Sequence, residues 1–371
     1  MAAASILHVI DHLGVGGAQT FLVRVLPRLD PGEFHCTVLA LHKLDQPAEL
    51  LRDAGIEVVD GKCTPTNLPF RLVRVLSWAR EKAPCLVHSH LGVGLGVGRF
   101  LASRLRVPAL GHVQSPKFAP GLRAVVAGWG IRSADAVVAC SRDIARIAHE
   151  AGWQPRLGVH VVVNPVDVAE IVAAKPVDLR AELGLTADCP LVIIVARLHP
   201  AKGLEVLIEA WRAVVREVPA HLAVVGDGPM AGELAIQVRS LGLESAVSFL
   251  GQRWDVAGLL KTCDVFVLPS RWEGMGIAAA EASAAGLPVV ATHVGGIPEV
   301  IEDGVTGNLV QPERPAELAG ALVALLSDPE RRRAMGEAGR ARMQRLFDVG
   351  VVAQQLTDLY RNCLAEDPGE D

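Results

Sequence analysis

Residues 269–281 read PSRWEGMGIAAAE and carry the strongest structural signal in the chain. The apolar run at residues 265–268 predicts a buried strand that ends at Pro269. Gly274 and Gly276 then predict a turn, and the alanine-rich residues after them favour a helix. Such a junction suits an anion, because free backbone N–H groups and the positive end of the helix dipole attract phosphate.

Two carboxylates distinguish this turn from an ordinary phosphate loop. Glu273 precedes the predicted helix and Glu281 lies in its early turns. A carboxylate can accept hydrogen bonds from two neighbouring hydroxyls, so these residues can bind a ribose diol or a sugar. A diphosphate beside them requires cations, which Arg197 and Lys202 can supply. The alternative is a surface glutamate and a capping glutamate on an ordinary strand–helix unit.

The glutamate pair, with its upstream Arg and Lys, resembles the signature of the family-4 retaining glycosyltransferases, also called glycosyl transferases group 1. The resemblance covers nearly the whole chain and is strongest over residues 190–310. It implies the α/β GT-B architecture, in which two tandem Rossmann-like domains, each a doubly wound parallel sheet, face a cleft. It also implies transfer of a sugar from a nucleotide-sugar to an acceptor with retention at the anomeric carbon. The nucleotide-sugar is a substrate, and the resemblance implies no metal and no other cofactor.

The resemblance assigns three groups of site residues. The first group would carry out catalysis, the second would bind the donor nucleotide, and the third would form the loop beside the acceptor and the diphosphate. Arg197, Lys202 and the helix amides would stabilise the charge of the leaving diphosphate. The catalytic group is Glu273, His112, Arg197 and Lys202. The donor group is Glu281, Arg197, Lys202, Gly276, Ile277, Gly226, Gly251 and Arg253, and the loop group is Gly16, Gly17 and Gln19.

A glycine-rich turn near the N-terminus has a competing interpretation. It follows the predicted strand at residues 5–11 and could be a dinucleotide-binding fingerprint, but the position three after Gly16 is Gln19 rather than glycine. The turn resembles instead the Gly-Gly-x-Glu turn of the family, with Gln19 in place of the usual glutamate. A second candidate fingerprint at Gly226 has irregular spacing. His112 ends a predicted strand, where open α/β sheets bind ligands, although it could equally be a satisfied loop histidine.

Apolar runs recur along the chain with helical patterns between them, which predicts parallel sheets covered on both faces. The first set of predicted strands is 5–11, 34–41, 56–59, 85–89, 109–113, 136–140 and 159–163. The second set is 191–195, 222–226, 247–250, 265–268 and 289–291.

The strand pattern lapses between these sets, where we place a domain boundary. We expect an acceptor-binding domain over residues 1–172 and a nucleotide-sugar-binding domain over residues 173–350. Residues 337–360 follow a helical pattern. In the resembled fold the last helix, within residues 351–371, crosses back to the first domain and precedes a frayed tail.

Composition limits the class of protein. The 371 residues exceed the roughly 250–300 at which a single core stops growing, and half of them are apolar. Residues 1–5 lack the features of a signal peptide, and the seven cysteines are widely spaced, so we expect a protein of the reducing cytoplasm. His88 and His90 would share one face of a strand, but no third ligand follows at a usual spacing, so we predict no metal site.

Charge is unevenly distributed. Residues 1–172 hold 18 Lys and Arg against 14 Asp and Glu, whereas the remainder holds 18 against 27. The helical pattern at residues 67–82 carries Arg71, Arg74, Arg80 and Lys82 on one face, although its apolar face is that of any helix covering a sheet. We expect a glycan, lipid-linked or small-molecule acceptor, peripheral contact with an anionic inner membrane face, and no nucleic-acid partner.

Two other functions stay open at this level. A nucleotide-sugar epimerase of similar fold needs acid and base groups but no acceptor. A non-catalytic sugar-nucleotide binder needs only the site, and the intact charged residues count against it. The sequence identifies neither the sugar, the base nor the acceptor.

Overall fold

A computed structural model of the chain describes residues 3–14, 16–64, 67–115 and 121–365, without the Leu122 side chain. The chain divides into two compact units, Met1–Pro165 with Val349–Asp371, and Val166–Asp348. The predicted frayed tail after residue 365 lies outside the described residues. No helix among the described residues is long and apolar enough to cross a bilayer.

The first unit contains a seven-stranded parallel sheet in the order β3-β2-β1-β4-β5-β6-β7. Its strands are β1 (Ala4–Ile10), β2 (Phe34–Ala40), β3 (Glu57–Asp60), β4 (Leu86–His90), β5 (Ala109–Val113), β6 (Ala136–Ala139) and β7 (Val159–Val161). Its first helices are α1 (Gly17–Val25), α2 (Gln46–Asp53), α3 (Leu68–Lys82), α4 (Gly92–Leu105), α5 (Leu122–Arg132) and α6 (Arg142–Glu150). A 3-10 turn, Leu26–Arg28, follows α1.

The second unit contains a six-stranded parallel sheet in the order β10-β9-β8-β11-β12-β13. Its strands are β8 (Leu191–Val195), β9 (His221–Val225), β10 (Val247–Gly251), β11 (Val265–Leu268), β12 (Val289–Thr292) and β13 (Gly307–Val310). Its helices are α7 (Val168–Ala173), α8 (Leu179–Glu182), α9 (Leu204–Glu217), α10 (Ala231–Ser240), α11 (Val256–Leu260), α12 (Ile277–Ala285), α13 (Ile297–Val300), α14 (Pro315–Leu326) and α15 (Pro329–Leu346). A 3-10 turn, Pro200–Lys202, precedes α9, and the last helix, α16 (Val349–Ala365), belongs to the first unit.

Most of the central strands are apolar along most of their length because helices cover both faces of each sheet. The exception is β4, in which His88, Ser89 and His90 are buried. In the first unit, α1 and α16 contribute to a core on one face, and α3 and α4 contribute to a core on the other. In both sheets the strand order reverses beside the first strand, between β1 and β4 and between β8 and β11. At such a reversal the following loops diverge and leave a crevice at the carboxyl edge, where ligands bind.

The structure differs from the sequence expectations in three places. The boundary follows Pro165 rather than residue 172, because Val166 N donates to Phe347 O at 2.8 Å and α7 packs against α12 and α15. The helical pattern at residues 337–360 contains a break, where Asp348 forms a bridge with Val166. The short edge strand β13 was missed because its mixed, glycine-bearing sequence gives no apolar run.

Candidate active site

The carboxyl edge of the second sheet brings together the predicted acidic and basic residues of two loops. Lys202 lies on the loop after β8, and Glu273 lies on the loop after β11. These strands are neighbours at the reversal of strand order. The Lys202 ammonium donates a hydrogen bond to Glu273 Oε1, and Ser270 Oγ donates to the same oxygen at 2.8 Å. Sequence reasoning missed Ser270, whose only signal was its position in the same turn as Glu273.

Two glycines allow these loops to pack backbone to backbone. A Cβ on Gly203 would lie 2.3 Å from Pro269 O, and a Cβ on Gly295 would lie 1.9 Å from Glu273 O. Both glycines also have positive φ values, of 61° and 53°. A side chain at Gly203 would therefore push apart the loops that carry Lys202 and Glu273, and one at Gly295 would push the loop after β12 away from Glu273.

The N-terminus of α12 follows Glu273 directly. Gly276 caps the helix with a left-handed φ of 90°, and Ile277 is its first residue. The first-turn N–H groups of a helix have no partner within the helix and suit an anion. Glu281 lies in the second turn of α12 and is partly buried. The geometry thus combines a helix N-terminus, of the kind that suits an anion, with two carboxylates and a lysine.

The other predicted donor residues lie on loops at the same edge of the sheet. Arg197 is exposed, and the described residues offer it no hydrogen-bonding or ion-pair partner. Gly226 N donates to Gly251 O at 2.7 Å, which joins the ends of β9 and β10. Arg253 forms ion pairs of 2.6 Å with both Asp255 and Glu182, and its hydrogen bonds to these carboxylates raise the pKa of its guanidinium. A ligand contacting Arg253 would meet a charge that is already paired.

In the first unit, Gln19 fixes the glycine-bearing turn after β1. Its side chain is only 2% exposed, and Nε2 donates to His12 O at 3.0 Å. Gly16 caps α1 and Gly17 begins it, and a Cβ on Gly16 would lie 2.6 Å from Gln19 Oε1. A glutamate carboxylate could not donate this hydrogen bond to His12 O, so Gln19 holds the turn through an uncharged side chain.

His112 lies at the end of β5 but is fully buried. Its Nε2 accepts a hydrogen bond from Gln114 Nε2 at 3.0 Å, and the Phe21 ring meets it edge-on at 4.7 Å. Its other ring nitrogen, Nδ1, is buried and has no hydrogen-bonding partner among the described residues, so the histidine is only half satisfied. Contact of His112 with a donor sugar stays a prediction.

A group of buried histidines adjoins His112. His8 supplies the third histidine that the sequence spacing around His88 and His90 did not provide, and the three offer ring nitrogens within 4.8 Å of one another. His8 Nδ1 lies 3.2 Å from His90 Nε2, and Tyr360 Oη lies 2.7 Å from His88 Nδ1. Burial lowers the pKa of His8 to about 3 and that of His88 and His90 well below the usual value. The rings therefore form a neutral, hydrogen-bonded core cluster near neutral pH.

Family models match both units. Residues 15–170 match Glycosyltransferase Family 4, and residues 178–342 match Glycosyl transferases group 1. The Anabaena protein HepE, solved with UDP-glucose, superposes with a TM-score of 0.84 at 27% identity, covering 96% of this chain and 99% of HepE. The similarity supports the predicted GT-B class of two Rossmann-like sheets.

Curated relatives agree with this fold assignment. N-acetyl-alpha-D-glucosaminyl L-malate synthase of Bacillus anthracis is 32% identical over 64% of this chain, and the chain spans 62% of that enzyme. D-inositol 3-phosphate glycosyltransferase of Kineococcus radiotolerans is 34% identical over 77% of this chain and 73% of that enzyme. These relatives are named as a synthase and a transferase, so neither the epimerase nor the non-catalytic binder gains support. The chain belongs to the family-4, or group 1, glycosyltransferases.

Proposed function

We propose that this glycosyltransferase moves a hexose from a UDP-sugar to an acceptor, with retention of configuration and without a metal ion. The observation that carries the proposal is the ion pair of Lys202 and Glu273 beside the N-terminus of α12. HepE has been solved with UDP, with UDP and glucose, and with UDP-glucose, which supports uracil as the base of the donor nucleotide. Retention is part of the proposal because the family resemblance implies it.

Each charged group has a role in this scheme. Arg197, Lys202 and the first-turn amides of α12 hold the diphosphate and stabilise the negative charge that develops on it as the glycosidic bond breaks. These groups supply the positive charge that a divalent cation would otherwise provide. Glu281 accepts hydrogen bonds from the ribose hydroxyls, and Glu273 accepts them from the donor sugar.

The acceptor is proposed to be anionic. The names of two relatives specify L-malate and inositol 3-phosphate, both of which carry negative charge. Residues 71–156 of this chain hold 13 Lys and Arg against four Asp and Glu. Such an excess attracts a small anion or a phosphate-bearing lipid.

A peripheral contact between the first unit and an anionic membrane belongs to the same proposal. On α3, Phe70 is 81% exposed and Val73 is 71% exposed, and Arg74 is exposed beside them. On α5, Val125 is exposed and Trp129 is 49% exposed. Helices α3 and α5 both pack against α4. Exposed apolar and aromatic side chains beside arginine suit the boundary between lipid headgroups and acyl chains.

The function is tested by incubating the purified chain with UDP-, GDP-, ADP- and dTDP-glucose, with UDP-galactose and with UDP-N-acetylglucosamine. Each donor is paired with L-malate, inositol 3-phosphate, a lipid phosphate or a neutral sugar. We expect acceptor-dependent release of UDP, an anionic acceptor to be favoured, and an α-linked product by NMR. Release of a different nucleotide, or a product of inverted configuration, would contradict the corresponding part of the proposal.

A further inference from the structure

Glu273 is held through one of its two carboxylate oxygens. Ser270 Oγ and the Lys202 ammonium both donate to Oε1, and the Glu273 side chain is 11% exposed. No described residue donates a hydrogen bond to Oε2. The carboxylate is therefore oriented from one side and keeps its second oxygen available.

Ser270 is itself rigidly anchored. It is fully buried, and its carbonyl oxygen accepts a 2.5 Å hydrogen bond from Thr292 Oγ1 at the end of β12. The next residue, Arg271, donates from its backbone N to Ala201 O at 2.8 Å. The hydroxyl thus projects from a backbone that is tied to the loops after β8 and β12.

A bound nucleotide-sugar would affect the two hydrogen bonds to Oε1 differently. Lys202 carries a positive charge that the diphosphate attracts, so the phosphate oxygens compete with Glu273 for its ammonium group. The Ser270 hydroxyl is neutral and buried, so a diphosphate exerts far less attraction on it. When Lys202 turns to the diphosphate, the serine hydrogen bond is the one that remains.

We propose that Ser270 is a positioning residue that keeps Glu273 directed at the donor sugar while Lys202 is engaged by the diphosphate. The proposal rests on the function proposed above and adds the residue that aligns its sugar-binding carboxylate. Because Ser270 is fully buried and its hydroxyl donates to Glu273, the proposal assigns it a role through Glu273 and no contact with the nucleotide. Its loss should therefore affect recognition of the sugar and spare recognition of the nucleotide.

The test compares Ser270→Ala with Ser283→Ala. Ser283 is an equally buried serine on α12, and its hydroxyl has no hydrogen-bonding partner among the described residues, so its replacement controls for the loss of a buried hydroxyl. Calorimetry measures the Kd of UDP and of UDP-glucose for each protein. We expect Ser270→Ala to raise the Kd of UDP-glucose by about 10- to 100-fold, the usual effect of losing a hydrogen bond to a charged group. The Kd of UDP should change by less than about threefold. Ser283→Ala should bind both ligands with Kd values close to those of the wild type.

A double-mutant cycle separates positioning from a general structural effect. In a Glu273→Ala background, Ser270→Ala should cause no further loss of UDP-glucose affinity, because the carboxylate it orients is gone. Equal losses of UDP and UDP-glucose, or an undiminished effect of Ser270→Ala in the Glu273→Ala background, would overturn the proposal. Should Ser270→Ala lower the melting temperature severely, Ser270→Thr retains the hydroxyl and should keep the wild-type ratio of the two Kd values.

The wild type distinguishes this inference from the function on which it rests. If the wild-type protein binds none of the six nucleotide-sugars named above, both the proposed function and the role of Ser270 are refuted. If UDP-glucose is not the donor, the nucleotide-sugar that raises the melting temperature most takes its place, with its own nucleoside diphosphate. A wild type that binds a nucleotide-sugar, beside a Ser270→Ala variant with unchanged affinities, overturns the inference alone.

Discussion

Lys202 donates a hydrogen bond to Glu273 across the point where the second sheet reverses its strand order. The pair joins the loops of two adjacent strands, β8 and β11, which lie far apart in the sequence. In the proposed function, this lysine pairs with Glu273 and also engages the diphosphate of the sugar donor.

Replacing Lys202 by alanine should lower turnover by about 10² to 10³, the usual effect of losing one preorganised electrostatic group. Arg197→Ala should have an effect of the same size, because Arg197 is exposed at the same edge with no competing partner among the described residues. Steady-state kinetics with saturating acceptor provide the measurement. Arg212→Ala, which removes an exposed arginine of α9, is the control. Turnover within a few-fold of the wild type would refute the assigned role.

The two glutamates should affect different parts of the donor. Glu281→Ala should weaken binding of UDP itself, because Glu281 is proposed to accept hydrogen bonds from the ribose hydroxyls. Glu273→Ala should weaken binding of UDP-glucose and leave the affinity for UDP nearly unchanged. Calorimetry with both ligands measures this difference, with Glu209→Ala on the exposed face of α9 as the matched control. The reverse order of effects would exclude this division of roles.

Transfer should continue in excess EDTA, because protein cations and helix amides are proposed to carry the leaving-group charge. The assay compares initial rates with and without chelator after dialysis, and then after addition of Mg²⁺ or Mn²⁺. A rate that falls with EDTA and returns with either ion would contradict transfer without a metal ion.

The first unit should lose stability in mild acid. Burial lowers the pKa of both His8 and His112 to about 3, with further lowering of His112 by His8, whereas an exposed histidine titrates near 6.5. Between these values the unfolded chain binds more protons than the folded chain, so stability falls as the pH falls through this range. Each of these two histidines should reduce the free energy of unfolding by about 2 kcal/mol between pH 8 and pH 5.

Urea unfolding monitored at pH 8, 6.5 and 5 measures this dependence. His112→Gln should flatten the profile, and His149→Gln, which changes an exposed histidine of α6, should not. The protein would contradict the prediction if its stability stayed constant over this range, or if the two variants responded alike.

Membrane contact should depend on the exposed apolar residues of α3 and α5. Phe70→Ser combined with Trp129→Ser should reduce co-sedimentation with vesicles that contain phosphatidylglycerol, and high salt should weaken binding of the wild type. Ile236→Ser, at an exposed apolar position of α10 in the second unit, is the matched control. Equal binding to neutral and anionic vesicles, or no binding to either, would favour an acceptor in solution.

Local sequence was sufficient to identify most of the strands and the glycine-bearing turn before α12. The bounds of β5, β8 and β11 agree with the predicted ranges, because strands covered on both faces must be apolar at nearly every position. The turn at Gly276 was identifiable because a left-handed cap before a helix strongly favours glycine. Both features depend on chemistry within a few neighbouring residues.

Other features required contacts between distant segments. The edge strand β13 forms by pairing with β12, which its own sequence does not reveal. His8 joins His88 only because β1 and β4 are adjacent in the sheet. Glu273 and Lys202 could be selected from the sequence as a carboxylate and a cation, but their ion pair depends on the adjacency of β8 and β11. The direction of the Ser270 hydroxyl likewise depends on the fold, because Thr292 and the loop after β8 fix the backbone that carries it.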